Sequence, residues 1–165
     1  MFFASSCYHL IVTSFAIAFA IFFMQGCSRS SYKSAITSVL EQDKRASEGI
    51  TSYAEYVVNQ NKINLSDCPD DFKKAYLKHK NAWMGRADVE KELLLFKKMY
   101  VSDEAKLEAF LRGSAYDYGM LGEVKEAAER IKAHENQADK EVRDTFIEVL
   151  NIAVDYGVDI EPYSH

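Results

Sequence analysis

Proline and glycine are scarce in this chain of 165 residues, with two and seven occurrences. Glycine and proline mark the many turns of β-sandwiches and barrels, so their scarcity argues against a turn-rich β-fold. The residues that are frequent instead, among them alanine, leucine, glutamate and lysine, favour helices. The composition therefore predicts an all-α fold, and the length suits one domain.

Charge is absent from the first 27 residues, because all 20 basic and all 25 acidic residues follow Cys27. The later part of the chain therefore carries the whole net charge of −5. Non-specific binding to nucleic acid needs a stripe of basic side chains, and the sequence contains none. We therefore expect no nucleic-acid partner.

Motifs for catalysis and metal binding are also missing. The chain has no Gly-x-Ser-x-Gly, no phosphate-binding glycine loop, no His-Glu-x-x-His and no Cys-x-x-Cys-His. Di-iron helical bundles place glutamate three residues before a ligating histidine, whereas tyrosine precedes His79 and isoleucine precedes His134 at that spacing. We interpret the chain as a protein without enzymatic activity, metal or cofactor.

An apolar run of about 15 residues, LIVTSFAIAFAIFFM, extends from Leu10 to Met24. This length suits the core of a signal peptide better than a membrane span, which needs about 20 residues. The run ends in Met24-Gln25-Gly26-Cys27, which resembles the lipobox of bacterial lipoproteins. The resemblance implies that residues 1–26 are a signal peptide, that Cys27 carries palmitate and other acyl chains, and that residues 27–31 are a tether.

A lipoprotein of this kind is held at the lipid bilayer by its acylated cysteine. Ser28 follows Cys27, and an aspartate at that position is the inner-membrane retention signal of enteric-type bacteria. We therefore expect the outer membrane, with the domain facing the periplasm. Three alternatives stay open. In the first, residues 2–23 are an uncleaved anchor, and the basic residues Arg29 and Lys33 after it favour a domain that stays in the cytoplasm. In the other two, the chain is cleaved and secreted without lipid, or the start of the chain is misassigned.

Three cysteines occur, at positions 7, 27 and 68. Removal of the signal peptide and acylation of Cys27 leave Cys68 alone, so no disulfide within the mature chain is expected. We expect the Cys68 thiol to be buried, and the alternative is a disulfide between two chains.

Apolar residues recur at three- and four-residue steps through most of residues 32–165. They predict a first helix over 31–59 with a weak point at Gly49, a second ending at Gly85, and a third over 88–112. Two further helices follow Gly122, broken near 134–139 and stopped at Gly157. Asp139 with Arg143 has the spacing of a surface ion pair. Residues 32–165 are therefore predicted to form an antiparallel bundle of four to five helices.

The segment Asp67-Cys68-Pro69-Asp70-Asp71-Phe72, together with Thr145–Val158 (TFIEVLNIAVDYGV), resembles small exported bacterial helical proteins. This resemblance transfers no active site. It agrees with a small helical domain in the cell envelope.

Two groups of side chains are candidates for binding. Tyr76, His79 and Trp83 share one side of the second helix and are a candidate ligand pocket. Tyr116 and Tyr118 lie in a glycine-flanked loop and are a candidate contact for a protein partner. The sequence thus favours a non-enzymatic interaction or envelope accessory module, and the alternative is a periplasmic protein that binds a small ligand or metal.

Overall fold

The structure is a computed structural model that describes residues 30–100 and 122–163. Within these two ranges the chain forms four α-helices and a short 3-10 turn, without a β-strand. The elements are α1 over residues 30–46, α2 at Tyr53–Gln60, α3 at Asp70–Tyr100, α4 at Gly122–Asp155 and the 3-10 turn at Glu161–Tyr163. The predicted all-helical fold is confirmed.

Three predicted sites, Cys27, Tyr116 and Tyr118, lie outside the described residues. The same holds for the predicted signal peptide, 1–26. In the part of the chain that the structure describes, no helix is long and apolar enough to cross a membrane.

The predicted weak point at Gly49 separates α1 from α2. Gly49 has a φ of 71°, a left-handed conformation that glycine adopts at little steric cost. The chain then enters α2 through Ser52, whose hydroxyl accepts a hydrogen bond from the backbone N–H of Glu55 at 3.2 Å. This is the usual N-cap bond, and it fixes where α2 begins.

The prediction that a helix ends at Gly85 is wrong, because α3 continues through this residue without a break. A glycine inside a helix costs only about 1 kcal/mol relative to alanine. The neighbouring Ala82 and Arg86 are both buried, and their packing holds the helix together across Gly85. Ser66 and Asp67 lie in a turn before α3, which begins at Asp70.

The predicted break at residues 134–139 is also wrong, because α4 is continuous there. The polar residues that suggest a loop bind to α3 instead: Glu135 and Asp139 both accept hydrogen bonds from the Arg86 side chain. Asp139 therefore pairs with α3 and not with Arg143.

The predicted stop at Gly157 is confirmed. Gly157 has a φ of 80°, and the N–H of Val158 donates to the carbonyl of Ala153 at 3.0 Å. This bond and the one from Gly157 N–H to the Val154 carbonyl form a Schellman motif. Val158 is buried in the core as a result.

Within residues 30–100 and 122–163, two separate apolar clusters hold the helices together. The larger joins α1, the first half of α3 and the last third of α4, and its most buried members are Ile36, Val39, Phe72, Tyr76, Val149 and Ala153. The smaller joins the far ends of α3 and α4, through Phe96, Ala128 and Ile131. Cross-helix bonds join Tyr156 to Asp71, Thr145 to His79 and Glu135 to Arg86, so α3 and α4 run in opposite directions.

Candidate functional site

A buried carboxylate, Asp43 on α1, lies near the larger apolar cluster. It is 5% exposed, and its Oδ1 accepts three hydrogen bonds. The donors are the Tyr76 hydroxyl at 2.7 Å, the Gln60 amide Nε2 at 2.9 Å and the Tyr56 hydroxyl at 3.0 Å. One oxygen of α1 thereby joins α1 to α2 and α3.

The two tyrosine hydroxyls are held in their protonated, donating form. Burial raises the pKa of both Tyr56 and Tyr76, and the negative charge of Asp43 raises them further. A hydroxyl that stays protonated keeps its hydrogen bond to Oδ1 at every physiological pH.

The second carboxylate oxygen of Asp43, Oδ2, differs from Oδ1 in its hydrogen bonding. Within the described residues, Oδ2 receives no hydrogen bond, and no lysine or arginine side chain lies within ion-pair distance of Asp43. A buried charge is expensive unless a partner compensates it. Asp43 therefore retains an acceptor for which the described part of the chain provides no partner.

His79 lies next to this group and has a fixed tautomer. Trp83 Nε1 lies 3.0 Å from His79 Nε2, and since indole N–H only donates, Nε2 must accept. The proton of the neutral ring is then on Nδ1, which lies 3.1 Å from Thr145 Oγ1. The Thr145 hydroxyl in turn donates within α4, to the carbonyl of Glu141 or Val142. Burial lowers the pKa of His79, against the opposing influence of Asp43 and Val142.

A cleft of about 750 Å³ opens beside His79 and Trp83. Its walls come from the end of α1, the loop before α2, α2 itself, the middle of α3, α4 and the 3-10 turn. The apolar and aromatic lining residues are Leu40, Ile50, Tyr56, Trp83, Val142, Phe146, Ile147, Leu150, Pro162 and Tyr163. Asp43 also lines the cleft, so its buried carboxylate faces this space.

Two basic residues, Lys44 and Arg143, line the cleft and are exposed to solvent. Lys44 donates to the carbonyl of Pro162 at 3.2 Å, which ties the 3-10 turn to the end of α1. Asp139 is the second carboxylate of the cleft, but Arg86 neutralises it at 2.5 Å. Asp43 is thus the one acidic lining residue without a basic partner among the described residues.

Arg86 stabilises the helices that form the cleft, although it does not line the cleft itself. It is 6% exposed, and it forms ion pairs with Asp139 and with Glu135 at 2.8 Å. Its guanidinium carbon lies 4.4 Å from the centre of the Tyr53 ring, a cation–π contact. Arg86 therefore ties α2, α3 and α4 together, and α4 supplies one wall of the cleft.

The structure brings together all three residues of the predicted ligand pocket. His79 and Trp83 line the cleft, while Tyr76 lies beneath it as a donor to Asp43. Sequence reasoning missed Asp43 and Arg86. A signal existed for Asp43, because it continues the apolar stripe of Ile36, Val39 and Leu40 at helical spacing. A charged residue in such a position faces the core and needs partners there.

A metal site and a reactive thiol are two further kinds of chemistry that the histidines and the cysteine of the described residues could offer. In residues 30–100 and 122–163, no group of three or more His, Cys, Asp and Glu side chains is arranged to hold a metal ion. Cys68 is a free thiol in the larger apolar cluster, and burial raises its pKa, which makes it a poor nucleophile. Comparison of the chain with known protein families, curated proteins and solved structures finds no match.

Proposed function

We propose that this domain binds a small, largely apolar molecule in the cleft beside Trp83. The observation that carries the proposal is the cleft itself: its volume of about 750 Å³ and its apolar walls are those of a ligand site. Such sites usually measure about 300–1,000 Å³ and combine apolar walls with a few polar groups that orient the ligand. Asp43 is a polar group of that kind, because it lines the cleft and its Oδ2 receives no hydrogen bond within the described residues.

The proposal favours the ligand-binding interpretation over the protein-interaction module. A protein partner needs an extended apolar surface, whereas the residues of the cleft surround a concave space that contains the buried carboxylate of Asp43. The tautomer of His79 is fixed by Trp83 and Thr145. The groups that would meet a ligand are therefore positioned before it arrives.

We propose the same cellular setting that the lipobox implies. Acylated Cys27 anchors the chain in the outer membrane, and the segment 27–31 holds an antiparallel bundle of four to five helices in the periplasm. The domain then binds its ligand close to a lipid surface, where apolar molecules are concentrated.

Trp83 provides a direct test, because it is the single tryptophan of the chain and lines the cleft. Titration of the full chain in detergent with an apolar ligand should shift the emission of Trp83 in a saturable manner. Ile147→Lys should weaken binding at least tenfold, since Ile147 lines the cleft and a positive charge there opposes an apolar ligand.

Val154→Lys is the matched control. Val154 is 48% exposed on the same helix, Ile147 is 49% exposed, and only Ile147 lines the cleft. Equal binding by both variants, or an emission that never saturates, contradicts the proposal.

The anchoring proposal has its own experiment. Cys27→Ser should abolish the incorporation of labelled palmitate and the cleavage of the signal peptide, because the lipobox is the proposed route to acylation. Cys7→Ser should leave both unchanged. Labelling that persists in the Cys27 variant refutes the lipoprotein assignment.

A protein-interaction module is the second candidate, and one observation favours it. Leu94, Leu95 and Met99, near the end of α3, are 60%, 50% and 65% exposed. Neighbouring apolar side chains with this exposure are typical of surfaces that contact a partner. The predicted contact residues Tyr116 and Tyr118 follow α3 in sequence and belong to the same hypothesis.

Chemical cross-linking in whole cells tests this second candidate. Leu94→Ser with Met99→Ser should remove a cross-linked species that the unaltered chain forms. Leu77→Ser is the control, since Leu77 is 49% exposed but lies in the first half of α3. A cross-linking pattern that none of these substitutions changes argues against the surface.

A further inference from the structure

The charges that line the cleft indicate which charge a ligand should carry. Asp43 is more than nine-tenths buried and lines the cleft, and its Oδ2 is unpartnered in the described part of the chain. The three bonds to Oδ1 come from uncharged donors, so they orient the carboxylate without neutralising it. The site thus presents one negative charge at the base of an apolar space.

The basic residues of the cleft do not cancel this charge. Lys44 and Arg143 are exposed, and water and salt screen the fields of exposed charges strongly. A buried charge is screened much less, because its surroundings have a low effective dielectric constant. The field inside the cleft is therefore governed by Asp43.

The aromatic residues of the cleft, like Asp43, favour a positively charged ligand. Tyr56 and Trp83 line the cleft and pack edge to face with ring centres 4.7 Å apart, and the ring of Phe146 is tilted against that of His79 with centres 5.0 Å apart. Aromatic faces carry partial negative charge and attract organic cations. His79 adds no positive charge, because the indole N–H of Trp83 occupies Nε2.

We infer that the ligand is an amine with an apolar body, whose ammonium group pairs with Asp43 Oδ2 while the body fills the cleft. This inference rests on the proposed ligand-binding function and adds the chemical class of the ligand. A charged hydrogen bond from the ammonium group supplies the partner that Oδ2 lacks. The remaining ammonium protons are directed towards the aromatic rings.

The test compares three probes of similar shape with different charge: 4-phenylbutylamine, 4-phenylbutanol and 4-phenylbutanoate. Binding to the full chain in detergent is measured by Trp83 emission and by calorimetry, with blank titrations into detergent alone. The amine should bind at least tenfold more tightly than the alcohol, and the carboxylate should bind most weakly. This ranking needs no variant, so it decides the question even where a substitution impairs folding.

Asp43→Asn should remove the preference for the amine while leaving alcohol binding within a few-fold. Asp71→Asn is the matched control, because Asp71 also accepts from a tyrosine hydroxyl, that of Tyr156, but lies outside the cleft. A preference that survives Asp43→Asn, or equal binding of amine and alcohol, overturns the inference and leaves ligand binding intact. Tighter binding of the carboxylate overturns it as well. Failure of all three probes to bind overturns the inference and contradicts the proposed function.

Discussion

Trp83 donates its indole hydrogen to Nε2 of His79 at 3.0 Å, so the imidazole of His79 holds its one proton on Nδ1. A second proton has no free position, because Nε2–H would point directly at the indole N–H. This relationship explains in atomic terms why burial and geometry both favour the neutral ring.

Stability should therefore depend on pH through His79. Burial lowers the pKa of His79 in the folded chain below its ordinary value. Above about pH 6.5, His79 is therefore neutral in both the folded and the unfolded chain, and its contribution to the free energy of unfolding is fully present. As the pH falls below about 6.5, the unfolded chain gains a proton first and stability declines, with a maximum slope of about 1.4 kcal/mol per pH unit.

Urea unfolding at pH 7.5, 6.5 and 5.5 measures this slope. His79→Gln retains an acceptor for Trp83 but does not titrate, so its slope between pH 6.5 and 5.5 should be smaller. The exposed His134 is common to both proteins. Identical slopes would show that His79 gains its proton as readily in the folded chain as in the unfolded chain.

Loss of the Asp43 carboxylate should be strongly destabilising. Asp43→Ala leaves the buried hydroxyls of Tyr56 and Tyr76 and the amide of Gln60 without their acceptor. Each unsatisfied buried donor costs about 1–3 kcal/mol, and the three are coupled, so we expect a total of about 3–5 kcal/mol. Thermal melting is the measurement.

Asp71→Ala provides the comparison for that experiment. Asp71 is exposed and accepts from the Tyr156 hydroxyl at 3.2 Å, so its loss should cost less than about 1 kcal/mol. Similar losses from the two substitutions would mean that Asp43 contributes nothing beyond an ordinary surface carboxylate.

The ion pairs of Arg86 should contribute far more than those on the surface. Glu135→Gln with Asp139→Asn leaves the buried guanidinium without a counter-charge, and we expect a loss of about 2–3 kcal/mol. Glu41→Gln breaks the exposed pair with Arg45, 3.9 Å apart, and should change the stability by less than about 0.5 kcal/mol. Chemical denaturation compares the two directly, and a double variant as stable as the Glu41 variant would contradict the expectation.

Three glycines should respond to alanine with opposite signs. No atom lies within 4 Å of a Cβ added at Gly49, Gly85 or Gly157, so backbone conformation alone decides. Gly85→Ala should stabilise α3 by about 0.5–1 kcal/mol, because Gly85 is helical. Gly49→Ala and Gly157→Ala should destabilise by about 1 kcal/mol, because both glycines have positive φ. Melting temperatures that shift in one direction for all three would refute this argument.

Local patterns in the sequence predict the helical class, the weak point at Gly49 and the stop at Gly157. The same reasoning fails at Gly85 and at residues 134–139, because the contacts that keep these segments helical lie on another helix. Arg86 makes both errors understandable: its partners Glu135 and Asp139 lie about fifty residues away and look like solvated loop residues.

The candidate site was predictable only in part, for the same reason. Tyr76, His79 and Trp83 share one helical face, so their proximity follows from α3 alone. Asp43 joins them only when α1 packs against α3, and its bond to Tyr76 spans 33 positions. Nothing in the local sequence specifies which oxygen of Asp43 is left without a partner.

The division of the apolar core into two clusters has a consequence for local opening. Among the described residues, the outer cluster of Phe96, Ala128 and Ile131 joins two helices, whereas the larger cluster joins three and includes Tyr76, which donates to Asp43. Amide hydrogens in the outer parts of α3 and α4 should therefore exchange through subglobal openings, and those around Tyr76 and Val149 only through global unfolding. The far ends of α3 and α4 can then separate and close again while the cleft keeps its shape.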